Sequence, residues 1–193
     1  MKNNNFALLT VTLLLVGCSP ICQDSTNTVP SAPVFTSYEP LLSPPSRTSQ
    51  ITEAIYKVTS VVDGDTLVIT DGTDEYRVRM TGIDCPELRP LEPYALEAKA
   101  YVESKIAKAG GHVRIKFDGD QTDRYGRILA MVYLPMPGGN DVWLNELLVY
   151  DGLAVSVLGF RYSDGAKKML VQAEIEARKA KRNMWSSKAE IFP

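Results

Sequence analysis

Asp63-Gly64-Asp65-Thr66, the run Leu67-Val68-Ile69-Thr70, the pair Asp71-Gly72, the return run from Tyr76 to Thr81, and Gly82-Ile83-Asp84-Cys85-Pro86-Glu87 form the stretch that decides the fold. Leu67 to Thr70 is apolar and β-branched, and it meets Asp71-Gly72, a strong hairpin signal. The return run alternates: Tyr76, Val78 and Met80 on one face, Arg77, Arg79 and Thr81 on the other. Closing this hairpin turns the chain back on itself, so Asp65 and Asp84 can end near one sheet edge. Arg79 and Glu87 then share the same small volume. Hard carboxylate oxygens beside a guanidinium suit a divalent cation and a phosphate. A lone Asp-Gly pair is ordinarily a turn and a lone acid is ordinarily solvated. Several acids and an arginine spaced around one hairpin ask for more.

Outward from the hairpin, Ile55 to Val62 alternates enough to be a first strand, and the hairpin supplies the second and third. Glu92-Pro93 opens a helix over about 94–109, with Ala95, Ala98, Tyr101, Val102 and Ile106 along one side. Gly110-Gly111 stops it. His112–Phe117 and Arg127–Leu134 read as the fourth and fifth strands. Asp141 is expected to cap a second helix carrying Val142, Leu144, Leu147 and Leu148 and ending at Gly152. Ser163-Asp164 caps a third, with Met169, Leu170, Ala173, Ala177 and Ala180 at helical spacing, ending near Trp185. Five short strands, one helix after the third and two after the fifth predict a small closed β-barrel with three helices outside, over residues 51–193.

The chain has 193 residues, enough for one domain with a core plus an appendage. Its formal net charge is -2, so no global basic field draws in a polyanion, and a local patch or a metal must hold one. The one histidine, His112, lies in a strand-like run and reads as exposed. A single histidine excludes multi-histidine zinc sites and argues against histidine-paired nucleophiles. General-base work falls to a carboxylate, a lysine or a tyrosine. Cys18, Cys22 and Cys85 show no zinc spacing.

Residues 1–17 read as a targeting segment: Lys2, then an apolar run from Phe6 to Val16 too short to span a bilayer as a mature helix. It ends Leu15-Val16-Gly17-Cys18, which resembles the bacterial lipobox. That resemblance implies cleavage before Cys18, lipidation of Cys18 and anchoring in the cell envelope, at the outer or the cytoplasmic membrane. Ser19 stands where an inner-membrane retention signal would place Asp. Residues 18–50 are rich in Ser, Thr and Pro and read as a semi-extended tether.

Several separate motifs recur in order. Asp63-Gly64-Asp65-Thr66, Arg79 with Ile83-Asp84-Cys85-Pro86-Glu87, Thr122-Asp123-Arg124-Tyr125-Gly126-Arg127 and Asn145-Glu146 resemble the staphylococcal nuclease (thermonuclease) family over about residues 55–185. The resemblance implies a five-stranded OB-fold barrel with three helices. It also implies a calcium-dependent phosphodiesterase, acting as a monomer on DNA and RNA and leaving 3′-phosphate ends. By the same resemblance Asp65, Asp84 and the backbone carbonyl of Cys85 hold one calcium ion, with Asp63 an acidic neighbour. Arg79 and Arg127 bind phosphate, and Glu87 either activates or orients the attacking water. Arg124, Tyr125 and Phe160 contact substrate. Phe160 and Leu158 fall where aromatic hydroxyls are usual, so Phe160 either stacks a base or packs, with Arg161 or Tyr162 as possible helpers. Cys85 replaces a threonine and reads as an exposed thiol, with Cys22 and Cys85 expected to be mostly unpaired, or paired only under oxidation. A non-catalytic OB module that binds nucleic acid from a membrane anchor is the alternative. The retained Asp, Arg and Glu set weighs against it.

Overall fold

In the computed structural model, residues 51–186 are described. The expected signal segment, Cys18, Cys22 and the tether lie outside the described residues.

The hairpin forms as its turn chemistry requires. β2 (Thr66–Thr70) pairs antiparallel with β3 (Glu75–Met80), Thr66 opposite Arg79 and Ile69 opposite Tyr76. Asp71 closes the turn: its Oδ1 accepts the Thr73 and Asp74 N–H groups at 2.8 and 2.9 Å, and Gly72 takes the positive φ that a Cβ disfavours. β1 (Ile55–Val61) lies on the other side of β2, and a register shift between Val58 and Ser60 bends it. That bend lets the start of β1 pair with β5 (His112–Lys116) while its end pairs with β2. β5 pairs with β6 (Ile128–Leu134), and β6 returns to β3 in parallel, with Arg79 opposite Leu129. That last pairing closes five strands into a barrel in the order β3-β2-β1-β5-β6. Leu67, Ile69, Val78, Met80, Val113, Ile115 and Val132 are fully buried. Each adds roughly 1.5–3 kcal/mol from leaving water.

Three two-residue strands escape sequence reading: β4 (Ile83–Asp84), β7 (Val142–Trp143) and β8 (Val155–Ser156). β7 extends the barrel from β6, and β8 pairs with β4 as a separate ladder. Runs this short carry no period to recognise.

The helices are α1 (Ala95–Lys108), α2 (Leu144–Tyr150) and α3 (Asp164–Lys179). α1 buries Ala95, Ala98, Val102 and Ile106. Ser163 caps α3 as expected, accepting the Ala166 N–H. Two expectations need correction. Asp141 does not cap α2, which starts after Trp143 with no side-chain cap. Its carboxylate is instead taken by the Arg114 guanidinium across on β5. α3 also stops before Trp185: Lys181 and Asn183 adopt positive φ, and Asn183–Trp185 is a separate 3-10 turn. Among the described residues no helix is long and apolar enough to cross a membrane.

Candidate active site

Closure of β3 on β6 builds the site. Arg79, near the end of β3, stands opposite Thr66, the first residue of β2, so Asp65 comes beside it. The Met80 N–H donates to the Asp65 carbonyl at 2.8 Å and fixes that approach. Gly82, at φ 80°, then bends the chain from β3 into β4, which carries Asp84. Asp63 works as a turn former: its Oδ1 accepts the Asp65 N–H at 3.1 Å.

Arg79 is the hub. Although the strand alternation put it opposite the core face, it is only 8% exposed. Asp65 and the β4 segment cover that second face. Its Nη1 donates to the Met80 and Ile83 carbonyls at 2.8 and 2.9 Å. Its Nη2 reaches Asp84 Oδ1 at 2.7 Å and Asp65 Oδ2 at 3.1 Å. Two carboxylates from distant parts of the chain thus converge on one guanidinium nitrogen. The Asp65 side chain is buried, and that of Asp84 is 56% exposed. Among the described residues Arg79 Nε makes no hydrogen bond and remains a spare donor.

Asp65 also accepts the Cys85 N–H at Oδ2 (2.8 Å) and the Thr66 hydroxyl at Oδ1 (3.2 Å). Burial pushes its carboxyl up to about 7, against the pull of the Arg79 charge and the Cys85 N–H. A buried carboxylate that one guanidinium leaves short of compensation favours a further positive charge. That observation tests the site against the cation implied by the family. Two carboxylates at one point, one of them open to solvent, suit a hard ion that draws remaining ligands from backbone carbonyls and water. Among the described residues no three His, Cys, Asp or Glu side chains gather around a point. That donor set fits calcium and does not fit a soft ion wanting several His or Cys.

Cys85 corrects an expectation. Its thiol is buried and unpaired, and burial pushes its pKa well up, so it is neither exposed nor primed for oxidation. It packs against Gly64: a Cβ built there would stand 2.7 Å from Cys85 Sγ and 2.9 Å from Ala98 Cβ. A side chain at 64 would push Asp65 away from the Cys85 N–H.

Glu87 is exposed, and its carboxylate makes no hydrogen bond among the described residues. Its backbone is held: Glu87 N–H donates to Glu92 Oε2 at 2.8 Å, and Glu92 N–H donates to the Glu87 carbonyl at 2.9 Å. Glu92 is a supporting residue that sequence reading passed over as a helix opener. Arg127 precedes β6 directly, and the β3–β6 pairing brings it beside the strand of Arg79. Asp123 holds it, accepting the Arg127 Nε–H at 2.7 Å and the Arg127 and Tyr125 N–H groups at 2.9 Å. Those hydrogen bonds and the Arg127 charge keep the Asp123 carboxyl below the usual range, although its burial works the other way. Tyr125 is 68% exposed, and its ring lies beneath the Arg124 and Arg127 guanidiniums at 4.7 and 5.6 Å. Arg124 also donates to the Tyr125 hydroxyl at 2.6 Å.

Phe160 is half-buried and packs against the core, whereas Leu158 is exposed. Tyr162 is not available to substrate: it is buried, and its hydroxyl donates to the Val157 carbonyl. His112 is exposed, as expected. Asn145 belongs to the frame rather than the rim. It is fully buried, accepts the Val132 N–H at 2.9 Å and donates to the Thr81 carbonyl at 2.8 Å, tying β6 to the end of β3. A polar residue inside Trp143-Leu144-Asn145-Glu146-Leu147-Leu148 was its sequence signal.

A five-stranded barrel with paired carboxylates and arginines along one edge defines a class of phosphate-handling site on an OB-like fold. A family model described as "Staphylococcal nuclease homologue" matches residues 77–187. A thermonuclease of Staphylococcus hyicus is 34% identical over 143 residues, 72% of this chain and 80% of that protein. One from Staphylococcus intermedius is 36% identical over 135 residues, 67% of this chain and 75% of the relative. An uncharacterized endonuclease of Escherichia coli is 32% identical over 137 residues, 71% of this chain and 80% of the relative. The chain belongs to the staphylococcal nuclease family, and so to the nuclease class of hydrolases.

Proposed function

We propose that the protein is a calcium-dependent nuclease that hydrolyses DNA and RNA phosphodiesters with little sequence specificity and leaves 3′-phosphate ends. The observation that supports this most is the convergence of Asp65 and Asp84 on Arg79 Nη2 at the barrel edge. Asp65, Asp84 and the Cys85 carbonyl would hold one calcium ion. When bound, the ion supplies positive charge against the growing negative charge of the phosphate.

The chain's own residues do the rest. Arg127, steadied by Asp123, and Arg79, through its spare Nε–H, bind the phosphate oxygens and favour the more charged transition state. Glu87, exposed and three residues beyond Asp84, is the carboxylate we assign to accept the proton of the attacking water. The water oxygen bonds to phosphorus as the P–O5′ bond breaks. The leaving oxygen takes a proton from solvent, giving a 5′-hydroxyl and a 3′-phosphate. Arg124, Tyr125 and the half-buried Phe160 contact sugar and base without reading base edges, which accounts for broad specificity. The lipobox-like Leu15-Val16-Gly17-Cys18 supports an anchor at lipidated Cys18, with the catalytic domain outside the cytoplasm, acting as a monomer.

Incubation with single- and double-stranded DNA, with calcium or with chelator, tests the reading. Calcium-dependent smearing that disappears in Glu87→Ala and Arg127→Ala is expected. DNA retarded but intact would replace it with the non-catalytic binding module.

A further inference from the structure

Glu174 lies within α3. Its Oε2 accepts two hydrogen bonds from one residue, the Ser156 N–H at 2.8 Å and the Ser156 hydroxyl at 2.6 Å. Its Oε1 accepts from Arg178 Nε and Nη2 at 2.9 and 2.7 Å. Ser156 is half of β8, paired with Ile83, and its neighbour Val155 is paired with Asp84. The next residue, Val157, donates its N–H to the Gly82 carbonyl at 2.8 Å. The Ile83 carbonyl and the Asp84 carboxylate are two of the four acceptors that Arg79 engages.

A ladder of two residues on two has little register of its own, because register is set by long faces and by turns. An outside contact must set it, and the carboxylate of Glu174 is such a contact. An ordinary i,i+4 helix pair with Arg178 would explain one of its oxygens. It does not explain the other, which is given wholly to Ser156. Nor does it explain a side chain 14% exposed where its arginine partner is 55% exposed.

We propose that Glu174 is a positioning residue for the nuclease site. Its carboxylate locks β8 to α3, and through the β8–β4 ladder it fixes the Ile83–Asp84 backbone, so that the Asp84 carboxylate faces the cation and Arg79 stays aimed. The structural half stands on the hydrogen bonds alone. The functional half rests on the nuclease reading.

The test compares wild type with Glu174→Ala, Glu174→Gln, Arg178→Ala and a remote core control, Ile106→Val. It uses amide hydrogen exchange, calorimetric titration with calcium alone, and kcat and KM on DNA. In Glu174→Ala the Ser156 and Val157 amides are expected to exchange about ten-fold faster or more while β1 and β2 amides hold, as for loss of hydrogen bonds to a charged group. Calcium affinity and kcat should each fall about ten-fold, with KM at saturating calcium within about two-fold. Glu174→Gln keeps one oxygen for Ser156 and should recover most of the loss. Arg178→Ala should change little. Unchanged exchange at Ser156 and Val157 overturns the proposal. So does faster exchange with wild-type calcium affinity, because β8 would then be held without positioning Asp84. Losses equal to those of Ile106→Val at matched melting temperature overturn it too. Should the chain cut no nucleic acid, the nuclease reading fails separately, and the exchange and calcium arms still decide the role of Glu174.

Discussion

Arg79→Lys keeps the positive charge and removes the fork. Four acceptors meet at the guanidinium: two backbone carbonyls on Nη1 and two carboxylates on Nη2. A lysine ammonium is a single nitrogen on a stem of different reach, and it cannot sit between both carbonyls and both carboxylates at once. The Asp84 contact is more than half exposed and counts for little. The Asp65 contact and the carbonyl contacts are buried, and one or two of them must be lost. Hydrogen bonds to charged groups are worth roughly 1.5–3 kcal/mol each, so Arg79→Lys should cost about 1.5–3 kcal/mol if one is lost and about 3–6 kcal/mol if two are. Arg79→Ala removes the charge beneath buried Asp65 and should cost about 3–5 kcal/mol, a large part of an ordinary domain's stability. Urea unfolding read by tryptophan fluorescence measures both, with midpoints falling and the slope unchanged. Activity is then compared where each variant is folded, and Arg79→Lys should still lose about a hundred-fold or more in kcat. A wild-type urea midpoint for Arg79→Lys would refute the hub assigned to this side chain.

Glu87→Gln should lower kcat by about a hundred-fold or more while leaving the unfolding midpoint unchanged, since the carboxylate is exposed and unbonded; single-turnover kinetics with a melting curve check both. Gly64→Ala drives a methyl into Cys85 and Ala98 and should cost about 1–3 kcal/mol, visible as a lower melting temperature, with weaker calcium binding by calorimetry. The Asp123 carboxyl is held below its usual pKa, so its ion pair with Arg127 stabilises the fold above the unfolded value of about 3.9 and is lost as pH falls through the folded value. Asp123→Asn should therefore show a shallower loss of stability below about pH 4 than wild type, measured by urea titrations across that range.

The barrel was legible because its strands obey period two and its turns use the chemistry that turns require. Leu67 to Thr70, Asp71-Gly72 and the alternating return run needed no tertiary information. The approach of Asp65 to Arg79 was legible for the same reason, since hairpin closure brings them together, whereas the placing of Asp84 also needs the bend at Gly82 and the pairing with β8. Arg127 needed the motif and the barrel, because a parallel pairing across a long interval is not written in local pattern. What could not be read depends on neighbours from elsewhere in the chain. Asp141 looked like a cap by position, yet Arg114 on another strand takes it. Cys85 looked exposed beside polar residues, yet α1 and Gly64 cover it. Tyr162 was open as a helper beside Phe160, yet its hydroxyl belongs to Val157. β4 and β8 are two residues each, and only their pairing, backed by Glu174, makes them strands.

The most direct measurement is the initial rate of DNA hydrolysis against free calcium, for wild type and for Asp84→Asn, each confirmed folded. A saturable dependence on one ion is predicted, absent in chelator, with Asp84→Asn shifted to higher calcium by about ten-fold or more. Hydrolysis that persists in chelator, or a wild-type calcium curve for Asp84→Asn, would contradict a cation held by Asp65 and Asp84 at the barrel edge.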